Sequence, residues 1–231
     1  MTVTTGSTSA DDRGRTTAIG DATRVRLMQA AERLIAKHGV EGVSVRDITT
    51  AADTNSASIH YHFLSKEGLV RAIIEDRAQR LREHRLGHLS ALTEAHPTVR
   101  HVAEAVVNPT FEFVSGEDEK SDTAYVGFLA ALLDDPAMVP ALDLYFADQY
   151  EAYYDALQRA RPDLPREVLV NRVSFALHLV LNTASEPARG LRTWIERHHQ
   201  PSVERIRQDL IDFIAGAFAA PDHDKVHGSH N

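Results

Sequence analysis

Residues 44–66, SVRDITTAADTNSASIHYHFLSK, place two short helical patterns on either side of a polar turn. Ser44 and Asp47 have the spacing of a capping box at the start of the first helix. Asn55 is a favourable N-cap for the second helix, which we expect to end near Phe63. Two helices joined by so short a turn predict a helix-turn-helix.

The second helix has few side chains to bury. Its large aliphatic and phenylalanine side chains, Ile59 and Phe63, lie one helical turn apart and form a single edge. The positions that we expect to face mostly outward are Asn55, Ser56, Ala57, Ser58, His60, Tyr61 and His62. Small polar groups and rings of this kind suit contacts in a DNA groove.

Together with the helix that precedes them, these residues resemble the N-terminal DNA-binding domain of the TetR family of bacterial transcriptional regulators. The resemblance covers about residues 23–74 and includes an apolar helix face at Leu27, Ala31, Leu34 and Ile35. It also includes residues 61–69, YHFLSKEGL. The resemblance implies an all-α protein, in which a three-helix helix-turn-helix domain is followed by a larger helical domain for effector binding and dimerisation.

The predicted DNA-binding residues lie in or beside the two short helices and are Ser44, Asn55, Ser56, Ala57, Ser58, His60, Tyr61, His62 and Lys66. The resemblance implies that the last three hold phosphates of double-stranded DNA. The polar side chains of Asn55, Ser56 and Ser58 suit hydrogen bonds to base edges, and Ala57 suits contact with a thymine methyl group.

Four positions depart from the family pattern, and one of them is Thr54, where the family usually has an apolar residue. Asp53 stands in the turn where the family usually has Gly, and Asp tolerates the left-handed conformation better than most residues. His60 stands where Tyr is common, with Tyr61 one place later. Leu64 stands where Gly or Pro is frequent, and we expect this change to be harmless in a surface turn.

Composition restricts the remaining chemistry. The 231 residues include no cysteine, which excludes a disulfide framework and a cysteine-ligated metal site. The net charge is −8, but residues 21–71 hold seven Lys and Arg against six Asp and Glu, so the acidic excess lies outside the predicted DNA-binding domain. The N-terminus has no signal-peptide pattern and no run of 18 apolar residues occurs, so we expect a cytoplasmic protein.

The chain divides into four predicted parts: a disordered arm at 1–20, the DNA-binding domain at 21–66, the effector-binding and dimerisation domain at 67–220, and a disordered tail at 221–231. Arg13 and Arg15 in the arm either follow a DNA minor groove or are simply solvated. The larger domain begins with an amphipathic helix over about residues 67–86. Further helices are expected at 98–114, 121–134, 137–160, 166–188 and 202–219.

One of these helices has an unusual pattern. Residues 168–181, VLVNRVSFALHLVL, are apolar nearly all round, so this helix needs apolar neighbours on both sides. The resemblance implies that helices 166–188 and 202–219 pair with their copies in a homodimer. Packing of both helices inside one subunit is the alternative.

Aromatic residues are concentrated in the middle of the larger domain. The residues predicted to line an effector site there are Phe111, Phe113, Tyr125, Phe128, Tyr145, Phe146, Tyr150 and His178. Aromatic walls suit a hydrophobic small molecule. Burial in the core is the alternative explanation for each of these side chains.

Other site chemistries have little support in the sequence. His60 and His62 would point about 200° apart on a helix, so they cannot share one metal ion. His223, His227 and His230 fall in the predicted tail. No hydrolase, zinc-protease or phosphate-binding glycine motif occurs, so we expect no metal, no cofactor and no enzymatic activity.

The simplest function consistent with these features is a dimeric repressor that binds a palindromic operator and is released by a small-molecule effector. Two alternatives remain. One is an activator or a ligand-requiring regulator of the same fold, and the other is a helical scaffolding protein that uses the helix-turn-helix only for packing.

Overall fold

The computed structural model describes residues 8–92, 96–116, 118–185 and 202–223, with side chains from residue 20 onward. The helices are α1 (Thr8–His38), α2 (Val45–Ala51), α3 (Ser56–Phe63), α4 (Lys66–Ser90), α5 (Val99–Val114), α6 (Glu119–Leu133), α7 (Val139–Ala160), α8 (Arg166–Ala184) and α9 (Val203–Ala219), with a 3-10 turn at Pro136–Met138 before α7. No strand occurs in these ranges, and the all-α prediction is confirmed.

The helix bounds agree closely with the predicted segments from α2 onward. α4 runs on to Ser90, beyond the predicted end near residue 86. α8 ends at Ala184, and the last part of the predicted segment, residues 186–188, lies outside the described residues. Residues 224–231, which make up most of the predicted tail and include His227 and His230, also lie outside them.

The N-terminal region differs from its prediction. α1 begins at Thr8, so residues 8–20 are helical where a disordered arm was expected. This segment contains no proline, which would interrupt the helix. Extending an existing helix adds one hydrogen bond per ordered residue, which costs much less than starting a new one. Residues 1–7 lie outside the described residues.

Side-chain caps set the starts of α2, α3 and α4. The Ser44 hydroxyl accepts from the Asp47 amide at 3.2 Å, and Asp47 accepts from the Ser44 amide at 2.9 Å, which confirms the capping box. Asn55 caps α3 by accepting from the Ser58 amide at 3.2 Å. Ser65 caps α4 in the same way. These local hydrogen bonds fix the helix starts where the sequence places them.

Two turns in this domain have non-glycine residues with positive φ. Asp53 in the turn before α3 has a φ of 50°, as its tolerance of that conformation allows. Leu64 after α3 has a φ of 68° and a ψ of −40°. Its side chain is 77% exposed, so burial does not offset the cost of this backbone conformation. Leu64 lies in a surface turn as expected, but an L-residue at positive φ costs about 1–2 kcal/mol, so we expect leucine to be unfavourable at this position.

The junction between α3 and α4 is tight. Gly68, in the first turn of α4, approaches the backbone of Phe63 at the end of α3 so closely that an added Cβ would overlap the Phe63 carbonyl oxygen. Only glycine fits this approach without moving one helix relative to the other.

Two apolar clusters hold the helices together. In the first, Leu27, Ile48 and Phe63 of the DNA-binding helices join Ile73 of α4 and Phe128 of α6. In the second, α5, α7, α8 and α9 pack around a separate buried group. It includes Val106, Tyr153, Val173 and Ile214. The three N-terminal helices thus share a core with the larger domain.

Charged side chains reinforce this junction. Asp122 of α6 is fully buried and lies 2.8 Å from Arg80 and 3.6 Å from Arg77, both on α4. Arg77 also lies 3.7 Å from Glu32 of α1, and its guanidinium donates to the Ser121 carbonyl oxygen at 2.7 Å. These contacts link α1, α4 and α6 in one network.

Within the described ranges, no single helix has the length and hydropathy of a membrane span. α6 and the segment from Pro136 to Ala160 pass that test only as a pair, and they are bent by 105° relative to each other.

Candidate DNA-binding surface and effector cavity

The outward face of α3 carries most of the predicted DNA-binding side chains. The exposed residues are Asn55, Ser56, Ala57, His60 and Tyr61. Tyr61 keeps 82% of its surface in solvent, whereas Ile59 and Phe63 are buried on the other side of the helix. The predicted exposure of these five residues is confirmed, while their contacts with DNA stay a prediction. We call them the α3 strip.

Two of the groups predicted to read bases are engaged inside the turn. The Ser58 hydroxyl lies 2.8 Å from the Thr54 hydroxyl, and Ser58 is only half-exposed. The Asn55 amide oxygen accepts from the Ser58 amide, but Asn55 Nδ2 has no partner in the described part of the chain. Asn55 therefore has a donor available for a base or phosphate oxygen, whereas Ser58 would first have to release its neighbours.

The two histidines of α3 have different surroundings. His60 Nδ1 lies 3.0 Å from the Leu64 carbonyl oxygen, which can only accept, so the neutral ring carries its proton on Nδ1. His60 Nε2 is then an acceptor, suited to the amino group of adenine or cytosine. His62 is half-buried, and its ring meets the Tyr61 ring edge-on at 4.8 Å between centroids. The His62 ring thus packs against the Tyr61 ring.

Ser44 and Lys66 are both used within the domain. The Ser44 hydroxyl donates to the Asp47 carboxylate at 2.6 Å, so its hydrogen is not available to a phosphate oxygen unless this bond breaks. Lys66 Nζ donates to the Val40 carbonyl oxygen at 2.5 Å and holds the turn after α1 against the start of α4. A lysine ammonium has two further hydrogens, so Lys66 can still contact a phosphate.

A cavity of about 210 Å³ lies between α7 and α8 and is bordered by the end of α6. Of the predicted effector residues, Tyr150 and His178 line it. The other lining residues are Leu133, Glu151, Tyr154, Val170, Val173, Ser174 and Leu177. Leu133, Glu151 and the four α8 residues were not predicted. The α8 residues follow the spacing of one helix face, but the prediction rested on aromatic content. Apolar walls with a few polar groups suit a small hydrophobic or amphipathic molecule.

The other predicted effector residues lie elsewhere. Phe111 borders a smaller cavity of about 110 Å³. Residues that belong to the first apolar cluster or pack against it are Phe113, Tyr125, Phe128, Tyr145 and Phe146. The Tyr125 hydroxyl, for example, donates to the Ile74 carbonyl oxygen at 3.1 Å, which satisfies the phenol inside the core. None of these six lines the cavity between α7 and α8. Core packing explains the burial of Phe113, Tyr125, Phe128 and Phe146, whereas Tyr145 is only partly buried.

α8 and α9 each leave a large aromatic side chain uncovered. Phe175 is 70% exposed and Phe213 is 67% exposed. The sequence predicts apolar neighbours on both sides of α8, but the described residues of one chain leave Phe175 on one side of this helix exposed. Exposed apolar surface of this kind is typical of an association site.

Among the described residues, no three His, Asp or Glu side chains are grouped so that they could hold a metal ion.

Comparison with known proteins agrees with this architecture. Residues 27–73 match the family model described as "Bacterial regulatory proteins, tetR family", and residues 104–217 match "Tetracyclin repressor-like, C-terminal domain". The HTH-type transcriptional repressor KstR2 of Mycolicibacterium smegmatis is 27% identical over 143 residues, which are 52% of this chain and 70% of that protein.

Two solved structures have the same fold. HlyIIR, a hemolysin II transcriptional regulator, superimposes with a TM-score of 0.55 at 17% identity, over 87% of this chain and 99% of that one. AmtR of Mycobacterium smegmatis gives a TM-score of 0.54 at 17% identity, over 85% and 86% of the two chains.

A helix-turn-helix with an exposed second helix, packed on a larger helical domain, defines a DNA-binding transcriptional regulator. Both halves of the chain match one group within that class, and the protein belongs to the TetR family of transcriptional regulators.

Proposed function

We propose that the protein is a homodimeric repressor that binds a palindromic operator through α3 and leaves it when a small molecule binds between α7 and α8. The observation that carries this proposal is the α3 strip, which is exposed on a helix whose opposite side is fixed in the core. A scaffolding protein that used these helices only for packing would not need such a surface. The related KstR2 is named as a repressor, which favours repression over activation.

Dimerisation is proposed through the uncovered sides of α8 and α9. Phe175 and Phe213 are exposed large aromatics, and a second copy of the same surface would cover them. A twofold dimer presents two copies of α3, and the two DNA half-sites would then lie about 34–36 Å apart, one helical turn or a multiple of it.

Within each half-site, α3 would enter the major groove. Ser56, Asn55 Nδ2 and His60 Nε2 supply donors and an acceptor for base edges, and Ala57 supplies a methyl group for contact with thymine. The Tyr61 hydroxyl and the remaining Lys66 hydrogens would contact phosphates. Phosphate contacts position the helix without carrying sequence information.

Release of the operator would depend on a movement transmitted from α7 to α4. Arg82 on α4 pairs with Asp148 on α7, and Arg85 on α4 donates to Gln149 on α7 at 3.5 Å. A ligand that displaces α7 therefore moves α4 and, with it, the attached α3. An affinity difference of about 1–3 kcal/mol between the two conformations would weaken operator binding roughly 5–150-fold.

Selection of duplex DNA from a random pool by the purified protein tests this function. We expect a palindrome to be enriched. A variant with Ser56→Glu and Ala57→Glu places two negative charges on exposed positions of the α3 strip, so it should fold and dimerise but enrich nothing. A folded dimer of the unaltered protein that enriches no motif, or a double variant that enriches the same motif, would contradict the proposal.

A further inference from the structure

Arg85 is the bulkiest fully buried side chain among the described residues, with 2% of its surface exposed. It lies on α4 and points towards α7. Its Nη1 donates to the Gln149 amide oxygen at 3.5 Å, and its guanidinium lies over the Phe146 ring at 5.5 Å from the centroid. An amide and an aromatic ring are weak partners for a full positive charge.

No carboxylate of the described residues forms an ion pair with Arg85. Three other arginines of α4 do form ion pairs: Arg77 and Arg80 with Asp122, and Arg82 with Asp148. A buried charge without a counter-ion is strongly unfavourable. Charged groups held in this state are candidates for ligand binding.

The free side of the guanidinium has a specific shape. Arg85 Nε is buried without a hydrogen-bond partner, and Nη2 also has none within the described part of the chain. These two nitrogens form the edge of arginine that a carboxylate engages with two parallel hydrogen bonds. The edge that Gln149 leaves open is therefore complementary to a carboxylate.

Tyr150 connects Arg85 with the cavity between α7 and α8. Tyr150 lines that cavity, and its ring packs against the Phe146 ring, 6.5 Å away between centroids. Burial raises the pKa of Tyr150, and the Arg85 charge acts in the opposite direction, which places the guanidinium near the phenol. The cavity of about 210 Å³ is smaller than the roughly 300–1,000 Å³ usual for ligand pockets. Rotation of the Tyr150 side chain would enlarge it towards Arg85.

We propose that the effector is an apolar carboxylic acid whose carboxylate pairs with Arg85 while its apolar body occupies the cavity between α7 and α8. This inference rests on the proposed effector site and names the ligand class for it. Arg85 is on α4, so the ligand holds α4 directly and the ion pair itself changes the position of that helix. A carboxylate carries one negative charge, which the single guanidinium balances, whereas a phosphate group carries about −1.5 to −2 and would leave an excess of buried negative charge.

Calorimetric titration with matched probes tests this proposal. Straight-chain and phenylalkyl carboxylic acids of about six to twelve carbons, a range set by the cavity size, are compared with the alcohols of the same length, below their micelle concentrations. We expect the unaltered protein to bind at least one acid about tenfold or more tightly than its alcohol, because the acid alone pairs with the buried charge.

Two variants remove the acid preference by opposite routes. Arg85→Met deletes the charge and keeps an apolar stem, so the acid should bind about as weakly as the alcohol. Gln149→Glu keeps Arg85 but supplies a carboxylate from inside the protein, so added acids should again lose their advantage. Arg82→Met, on the same helix but in a half-exposed pair with Asp148, is the matched control and should leave the acid preference unchanged.

An unaltered protein that binds acids and alcohols equally, or that binds no acid of the series, would overturn the proposal. So would an Arg85→Met variant that folds and keeps the preference, and the Gln149→Glu variant answers the same question if Arg85→Met does not fold. Operator binding is measured in the same samples. If only uncharged compounds release the operator, the carboxylic-acid proposal is rejected and the proposed repressor function is retained. If the protein binds no operator, the proposed repressor function is rejected. The acid titration then tests the role of Arg85 in ligand binding by itself.

Discussion

Arg80 on α4 and Asp122 on α6 face each other through two hydrogen bonds, of 3.2 Å and 2.8 Å. Asp122 is fully buried, whereas Arg80 is half-exposed. Asp122 is therefore a buried carboxylate whose charge is balanced by half-exposed Arg80 and by the less exposed Arg77, at the place where the DNA-binding helices meet the larger domain.

Removing the Asp122 charge should destabilise the fold. We expect Asp122→Asn to lower the free energy of unfolding by about 2–3 kcal/mol, at the lower end for a buried pair because Arg80 can turn to solvent. Asp148→Asn breaks the exposed pair with Arg82 and should cost less than about 1 kcal/mol. Urea denaturation of the two variants measures the difference. Equal effects would mean that burial of Asp122 does not strengthen its pairing.

Glu32 gives the stability a pH dependence. Its carboxyl group lies 3.7 Å from Arg77, but burial outweighs this charge and raises the pKa of Glu32 from 4.5 to about 7. The folded protein thus holds the proton more tightly than the unfolded chain does. The contribution of Glu32 is most favourable below about pH 4.5 and is lost as the pH rises through about 7.

Glu32→Gln should remove this loss. Near pH 8, where Glu32 is charged, we expect the variant to be more stable than the unaltered protein by about 2–3 kcal/mol, whereas near pH 5 the two should be similar. Urea denaturation at both pH values gives the comparison. Two stability profiles that stay parallel across this range would show that Glu32 has an ordinary pKa.

Leu64→Gly should stabilise the DNA-binding domain. The substitution relieves the positive φ and loses almost no buried surface, since Leu64 is 77% exposed. We expect a gain of about 0.5–1 kcal/mol, after allowing for the greater freedom of glycine in the unfolded chain. Asp53→Gly is the matched control and should gain less, because Asp tolerates positive φ. Thermal denaturation that shows Leu64→Gly to be destabilised would point to a packing role for Leu64.

Two conservative changes in the α3 strip separate base contacts from phosphate contacts. Ser56→Ala removes one hydroxyl from the side chains proposed to contact bases. The preference for one base should then be lost at a single operator position, where the free-energy difference between bases should fall by about 1–3 kcal/mol. Tyr61→Phe removes a hydroxyl from a side chain that is 82% exposed, so all DNA sequences should bind more weakly to a similar degree. Binding profiles over a library of operator variants distinguish these outcomes. A sequence-selective effect of Tyr61→Phe would count against its phosphate contact.

Phe175→Glu should prevent dimerisation. A charge placed at the centre of the exposed α8 surface would be buried between two copies without a partner, which costs several kcal/mol per dimer. Leu144→Glu alters a side chain on α7 that is 72% exposed and lies outside α8 and α9, so it should have no such effect. Sedimentation velocity reports the oligomeric state of both variants. A Phe175→Glu variant that remains dimeric would place the interface elsewhere.

The features that the sequence predicts well depend on neighbours in the chain. Ser44 with Asp47, and Asn55 with the Ser58 amide, form hydrogen bonds over three residues, so residue type and spacing are sufficient to locate the helix starts. The exposed side of α3 follows equally directly from the period of its two buried residues, Ile59 and Phe63.

The features that the sequence does not reveal depend on which helices meet. α4 carries charged residues nearly all along its length, so Arg85 looks like part of a solvated face, but it is buried and in contact with Phe146 and Gln149 of α7. Most of the predicted aromatic effector residues are buried in the apolar clusters, and aromatic content alone does not distinguish a cavity wall from a packed interior. The positive φ of Leu64 has no sequence signal, since leucine is not chosen for that conformation.

The close approach of Gly68 to Phe63 also determines how a small rotation of α4 would displace α3. Since no space is left between them, we expect α3 and α4 to turn as one body. α4 has 25 residues and is therefore about 37 Å long. A rotation of about 5° around the middle of a rod of that length shifts its end by about 1.6 Å. In a twofold assembly the two shifts add to about 3 Å, close to the rise of one base pair along DNA, about 3.4 Å. A rotation too small to disturb either apolar cluster could thus shift the two copies of α3 relative to each other by about one base pair along the DNA.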